Sequence, residues 1–397
     1  MPPRHAPRPS PRRDARRPSG PPPPGGGRLA GRTALALGLT LALALALAVA
    51  GGVAWTRDRP RRLRERAEAA TLARDWPAAV EAWKECNRAG EASAGTWLAE
   101  ARADLEMDRS AAADHAFAKA LEAKPSLVEA WRGRLDRLRV LDRPLEALRL
   151  GRLAEAAVDA DARPAILATT TLAALAELPD DEARARLDRW IAADPTDLDA
   201  RVARLARIAA NVHPGDPDRA SRIAELAEIL GREPEHVAAR EALVVALGDA
   251  GEVDRGRVTL DAWPEAVRDA RYDRLRGRWD LDYDRNPARA AGSFAKVLVE
   301  LPHDWKSHYG LARAGRALGR DAEARAEADA VARLLERLAP VALGPRLVDD
   351  LAKLDDPAAR LDLAGLCDGV GLAGLAQSWR REAQARAETR GPSPTDH

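Results

Sequence analysis

The chain has 397 residues, with 63 basic and 62 acidic side chains, 46% hydrophobic residues and only 4% aromatics. That length exceeds what one compact core supports, and the dominance of Ala, Leu and Arg over aromatic and β-branched residues excludes a β-rich fold and points to an all-α one. The net charge of +1 conceals a basic stretch over residues 1–66, at +11, and a remainder at −10, which excludes general nucleic-acid binding by the larger part because phosphate contacts need a positive face.

In chain order, residues 1–32 are rich in Pro, Arg and Gly, including Pro21-Pro22-Pro23-Pro24-Gly25-Gly26-Gly27, and have little to bury. They are expected to be disordered, as are residues 391–397. Thr33 to Trp55 is a run of 23 residues without a charge. As a helix it reaches about 35 Å, enough to cross a hydrocarbon core of about 30 Å. Its Ala/Leu alternation is strand-like, but a lone strand in lipid leaves its backbone unsatisfied, so a transmembrane helix is expected. Trp55 stands where an interfacial aromatic belongs. A cleaved signal peptide ending at Ala48-Val49-Ala50 is the competing reading; the long leader and long apolar run favour the anchor. A basic collar over 56–62 follows, with Arg64 and Arg66 beyond it, and nearly balances the eight Arg of the tail. The expected arrangement is a single-pass protein of the cytoplasmic membrane, tail inside and the remainder on the extracytoplasmic side.

From 63 to 390 the chain repeats. Trp97 and Trp131 are 34 residues apart, and a unit begun at residue 94 has Ala101, Ala113, Phe117, Ala120 and Pro125 at positions 8, 20, 24, 27 and 32. The unit before it places Ala67, Ala79, Trp83 and Cys86 at 8, 20, 24 and 27, and the unit after it Trp131, Leu135, Ala147 and Ala154 at 4, 8, 20 and 27. The frame then slips, through a unit ending at Pro195, one ending at Pro234 after an insertion around 213–217, and a degenerate one with Gly248 and Gly251. It returns with Ala290, Phe294, Val297 and Pro302, then Leu311, Ala312, Gly319 and Ala324, then Leu363, Ala364, Gly371, Ala376 and Ala383. Small residues at 8 and 20 let two antiparallel helices approach, while large ones at 4 and 24 fill the flanking holes.

This pattern resembles the tetratricopeptide repeat (TPR), in a membrane-anchored bacterial form. The resemblance implies a right-handed α-α superhelical solenoid of about nine helix pairs, each touching mainly its neighbours and closed at its end by a polar helix near 372–389. It implies a membrane-tethered scaffold that holds a protein or peptide in a concave groove lined by positions 2, 5, 9, 12 and 13 of each first helix. In the seventh and eighth units those positions carry Tyr272, Leu275, Trp279, Asp282 and Tyr283, then Lys306, Tyr309, Arg313 and Arg316. Tyr, Trp and Arg most often dominate binding energy, and all three Tyr of the chain fall here. The Lys-5/Asn-9 carboxylate clamp of chaperone-binding TPRs is absent: the pairs are Arg64/Glu68, Leu98/Arg102, Arg132/Asp136, Leu275/Trp279 and Tyr309/Arg313. A chaperone C-terminus is therefore not the expected partner.

No catalytic constellation, cofactor motif or metal centre emerges. Gly369 to Gly374 fits GxGxxG, but helical sequence precedes it and Gly371 serves as a hairpin turn. Asp280, Asp282, Asp284 and Asn286 copy alternate ligands of a calcium loop, but Arg285 and Ala291 stand where Gly and Glu are required, so a turn neutralised by nearby Arg is expected. Cys86 and Cys367 read as buried thiols. The acid pairs Asp180-Asp181, Asp349-Asp350 and Asp355-Asp356 read as caps at helix starts or turns. An enzyme or enzyme subunit with its site in the irregular stretch 198–270 is the alternative to a scaffold.

Overall fold

The structure, a computed structural model, describes residues 59–210 and 218–390 together with Leu43 and Leu45. The tails 1–32 and 391–397, the insertion around 213–217 and the span Thr33–Trp55, apart from those two leucines, lie outside the described residues. No helix among the described residues is long and apolar enough to cross a membrane. Residues 59–62, assigned above to the collar, already belong to the first helix of the repeats.

Every regular element among the described residues is helical. Hairpins are formed by α1 (59–72) with α2 (Trp76–Cys86), α3 (Ala94–Glu106) with α4 (Ser110–Ala123), and α5 (Val128–Val140) with α6 (Pro144–Ala157). Two single helices follow, α7 (Arg163–Leu175) and α8 (Asp180–Ala193). Pairing resumes with α9 (Leu198–Ala210) and α10 (Arg219–Arg232), α11 (Val237–Asp249) and α12 (Val253–Asp261), α13 (Ala270–Asp282) and α14 (Pro287–Glu300), and α15 (Trp305–Ala317) and α16 (Asp321–Leu338). An odd helix, α17 (Pro340–Ala352), precedes the last hairpin of α18 (Pro357–Gly369) and α19 (Ala373–Arg390). The irregular stretch 198–270 is thus mainly two further hairpins.

Local chemistry sets the boundaries. Ser93 and Thr96 close a reciprocal capping box on α3, and Asp75, Asp269, Asn286 and Asp356 accept backbone N–H groups at the starts of α2, α13, α14 and α18. Position 15 of six units turns the chain in the left-handed region: Arg74, Asp108, Asp142, Gly251, Gly319 and Gly371 all have positive φ. Side-chain volume then fixes the stacking. Phe117 fills the space over Gly133, where an added Cβ would lie 2.4 Å from the ring, and Phe294 does the same over both Gly277 and Gly310.

The seventh unit departs from its neighbours by one residue. The turns between α3 and α4, α5 and α6, and α15 and α16 have three residues, whereas 283–286 has four. Positions counted back from Pro302 are therefore correct on α14 and one residue out on α13. The small residue at position 8 of α13 is Gly277, packed against Phe294.

Two expectations of an open stack are corrected. The first is that each unit touches mainly its neighbours. Nine residues of α7 are buried, spread around its circumference, and a helix apolar on every side needs cover on every side. It packs against α5 and α6 and, from the far end of the chain, α19. Leu167, Ala168, Ala174 and Leu175 join Leu343, Leu347, Leu363, Cys367, Ala376 and Trp379 in one core. The second correction concerns α19, which is no polar cap. The odd helix α17 reverses the hairpin that follows it, so Gly371 in the α18–α19 turn meets Pro302 in the turn before α15. The α19 face bearing Trp379 is then delivered to α7, while Glu155 at the end of α6 takes Ser378 and Arg381.

Candidate partner-binding face

The structure disperses the residues expected to line a single hot spot. Trp279 is fully buried, in a core with Val244, Leu260, Trp263 and Leu275. It is seated over Gly248 and Gly256, where added Cβ atoms would lie 2.8 and 2.6 Å from its ring. Leu275 is buried beside it. Tyr283 lies half-buried on Trp279, at 5.1 Å between ring centroids. Tyr272 is edge-on to Trp263 at 5.6 Å, with the guanidinium of Arg268 4.6 Å from its ring centre. These four are packing residues, and the one-residue shift of α13 is the reason. Of the expected set only Lys306, Tyr309, Arg313 and Arg316, all on α15, are exposed.

With α13 in its true frame, positions 2, 5 and 9 are Arg271, Arg274 and Arg278. Each is matched by acids. Arg274 binds Glu241 of α11 at 2.5 Å and Asp304 at 3.4 Å. Arg278 binds Asp249 of α11 at 2.8 Å, and Asp282 at the end of α13 binds Arg313 of α15 at 2.8 Å. Successive first helices are thus joined by alternating charge, a ladder from α11 through α13 to α15.

Nearer the helix starts the face is closed. Arg137 holds Asp197 through two hydrogen bonds, at 2.9 and 3.0 Å. Asp199 takes Arg143 and, at 3.3 Å, His236. Arg271 of α13 joins Glu146 of α6 to Asp269 at the cap of α13, and Arg149 reaches Glu300. Burial pushes the Asp199 carboxyl up, but His236, Arg143 and Arg137 outweigh it and hold the group well below the usual carboxylate range. The cleft between Arg143, Glu146, Asp199, His236 and Arg271 measures about 260 Å³. That is below the usual size of a small-molecule pocket, and its charged groups already have partners.

The open surface is on α15. At 100° per residue, Trp305, Lys306, Tyr309, Arg313, Arg316 and Ala317 fall within about 120° of arc, and all six are exposed. Ser307, Gly310, Ala312, Ala314 and Gly315 form the opposite, buried side. Tyr309 is 51% exposed, with the Arg313 guanidinium 5.8 Å from its ring centre. Lys306 stands over Trp305 at 5.8 Å. No acid lies on this arc. The count of groove positions passes over Trp305, which falls at position 1; its spacing of four residues from Tyr309 is the signal that would have found it.

The remaining motifs have structural roles. Asp280 and Asp284 are shared among Arg276, Arg289 and Arg257, and Asn286 caps α14, so the calcium-like loop is neutralised by Arg. Gly371 turns between two helices with φ 84°. Both cysteines are buried. Burial pushes the Cys367 thiol up to about 12. Asp180-Asp181 begin α8 and Asp356 caps α18, but Asp349-Asp350 lie inside α17 rather than at a turn, with Asp350 buried near Arg346. Among the described residues no group of three or more potential metal ligands is assembled.

Fold and face together define a repeat protein of stacked helical hairpins, with packed cores between the helices and an open aromatic and basic surface on α15. Residues 212–278 match the family model of the tetratricopeptide repeat. No curated protein matches the sequence. Among solved structures, a tetratricopeptide repeat protein from Parabacteroides merdae is 13% identical, with 64% of this chain and 98% of that one covered and a TM-score of 0.31. The APC/C hetero-tetramer Cut9–Hcn1 is 15% identical, with 82% and 66% covered and a TM-score of 0.32. Yeast Tom70 is 11% identical, with 84% and 77% covered and a TM-score of 0.25.

Proposed function

We propose that the chain is a membrane-tethered, non-catalytic scaffold that holds a protein or peptide partner on the exposed face of its first helices. The observation that carries this reading is the α15 arc, where Tyr309 and Arg313 are open to solvent while the other aromatics of the expected hot spot are built into the core. Exposed Tyr, Trp and Arg bury large area with few rotors, as binding hot spots require. The uncharged run Thr33–Trp55 supports the tether, with the repeats on the extracytoplasmic side. Pull-down from detergent-solubilised membranes tests the binding face. The Tyr309→Ala/Arg313→Ala variant should lose its partner while melting like the parent, and undiminished capture would remove α15 from the binding site. Mass spectrometry of the membrane-extracted protein tests the tether, which a mature N-terminus at Gly51 would overturn.

A further inference from the structure

The charge ladder that joins the first helices is incomplete at α15. Arg274 and Arg278 of α13 are both answered by acids of α11, and Asp282 of α13 answers Arg313 of α15. A further repeat in register would present acids to Lys306 and Arg316 of α15. Among the described residues none does: the helix that follows the α15–α16 hairpin is the odd α17, whose Asp349 and Asp350 pair with Lys353 and Arg346 on α17 itself. Among the described residues Lys306 and Arg316 have no ion-pair partner. Along the helix they stand about 15 Å apart, with Tyr309 and Arg313 between them and Trp305 at one end.

We propose that an acidic peptide segment of the partner supplies the missing rung, lying along α15 with carboxylates on Lys306 and Arg316 and an apolar side chain on Tyr309 and Trp305. This deepens the scaffold reading and rests on it. About five residues of extended chain span the distance. The net charge of −10 over residues 67–397 makes this arc a local exception, so approach is steered to it and general attraction to polyanions is weak. Carboxylates fit better than headgroups in a bilayer plane because α15 continues a ladder whose other acceptors are all carboxylates.

The probe is a short fluorescein-labelled peptide of alternating Glu and Phe, titrated into the full-length protein in detergent and followed by anisotropy, with a Lys/Phe peptide as control. The acidic peptide should bind and weaken as salt rises, and the Lys/Phe control should not bind. Lys306→Glu/Arg316→Glu should reduce affinity by about tenfold or more without moving the thermal transition. Should that variant fold poorly, Lys306→Gln/Arg316→Gln should still give a clear loss. The proposal is overturned if the acidic peptide fails to bind, if either well-folded double variant binds it like the parent, or if phosphatidylglycerol vesicles displace the peptide from wild type, which would make the arc a headgroup site. Capture in the membrane pull-down that survives Lys306→Glu/Arg316→Glu but is lost in Tyr309→Ala/Arg313→Ala sinks the acidic rung and leaves the scaffold reading standing.

Discussion

The indole Nε1 of Trp379 donates to the hydroxyl of Thr171 at 3.1 Å, a hydrogen bond between residues 208 positions apart. Thr171 in turn donates to Leu167 O within α7 at 2.8 Å, so the contact fixes one helix turn of α7 against α19. It is the centre of the joint that returns the end of the chain to its middle.

Removing Trp379 should therefore open that joint. Trp379→Ala deletes a fully buried side chain and should cost about 3–5 kcal/mol. Trp379→Phe keeps most of the apolar contact, loses the hydrogen bond, and should cost about 1–2 kcal/mol. Urea unfolding followed by far-UV circular dichroism measures both. Hydrogen exchange should show α7 losing protection in Trp379→Ala, and unchanged exchange there would mean that α19 does not hold α7.

Trp279 and Tyr309 should separate cleanly. Trp279→Ala leaves a cavity over Gly248 and Gly256 and should lower stability by about 3–5 kcal/mol. Tyr309→Ala, at an exposed position, should stay within about 0.5 kcal/mol of the parent and act only on partner capture. Comparable melting of the two variants would contradict the buried assignment of Trp279.

Position 15 sets the hairpin turns. Gly319 has φ 71°, and Gly319→Ala should cost about 1–2 kcal/mol because an L side chain resists that conformation. Arg74 occupies the same conformation with φ 55°, so Arg74→Gly should be neutral or stabilising. Melting temperatures of the two variants should move apart, and movement in the same direction would show that φ is not what limits these turns.

Acidification should loosen the turn before α15. Burial pushes the His303 imidazole below its ordinary value, and its Nδ1 is buried without a hydrogen-bond partner. The unfolded chain then takes up the proton more readily than the folded one. The stability linked to His303 is complete above about pH 6.5 and is lost as pH falls below it. Glu100 and Asp104, pushed up by burial, give the opposite slope, with their stability lost as pH rises. Melting of wild type and His303→Asn between about pH 7.5 and about pH 5.5 isolates the histidine. The variant should lose less stability on acidification, and parallel curves would rule the residue out.

Much of the repeat was legible in the sequence because its signals are local. Ala67, Ala101, Ala113 and Ala147 report a hairpin interface within a single unit, and Pro125, Pro195, Pro234 and Pro302 mark where one unit ends. Gly319 and Gly371 announce turns through a conformation that glycine adopts without strain. Tyr309, Arg313 and Arg316 are legible for the same reason, since α15 keeps its register with the turn before it. Trp279 leaves its expected groove position because one extra residue in 283–286 rotates α13 by about 100° against its partner, and Arg285 at that turn gives no warning of it.

What only the tertiary structure decided is where the ends of the stack go. The sequence by itself determined that residues 63–390 are helical and mostly paired as hairpins with small residues at their contacts. Nine buried residues of α7 require cover on nearly every side, and local pattern does not say whose. That cover is α19, brought back because the single helix α17 reverses the hairpin after it, and held by Trp379 on Thr171. Pairings of this kind depend on the sum of many small rotations between units. The same summation leaves Lys306 and Arg316 facing solvent where a further repeat would have neutralised them.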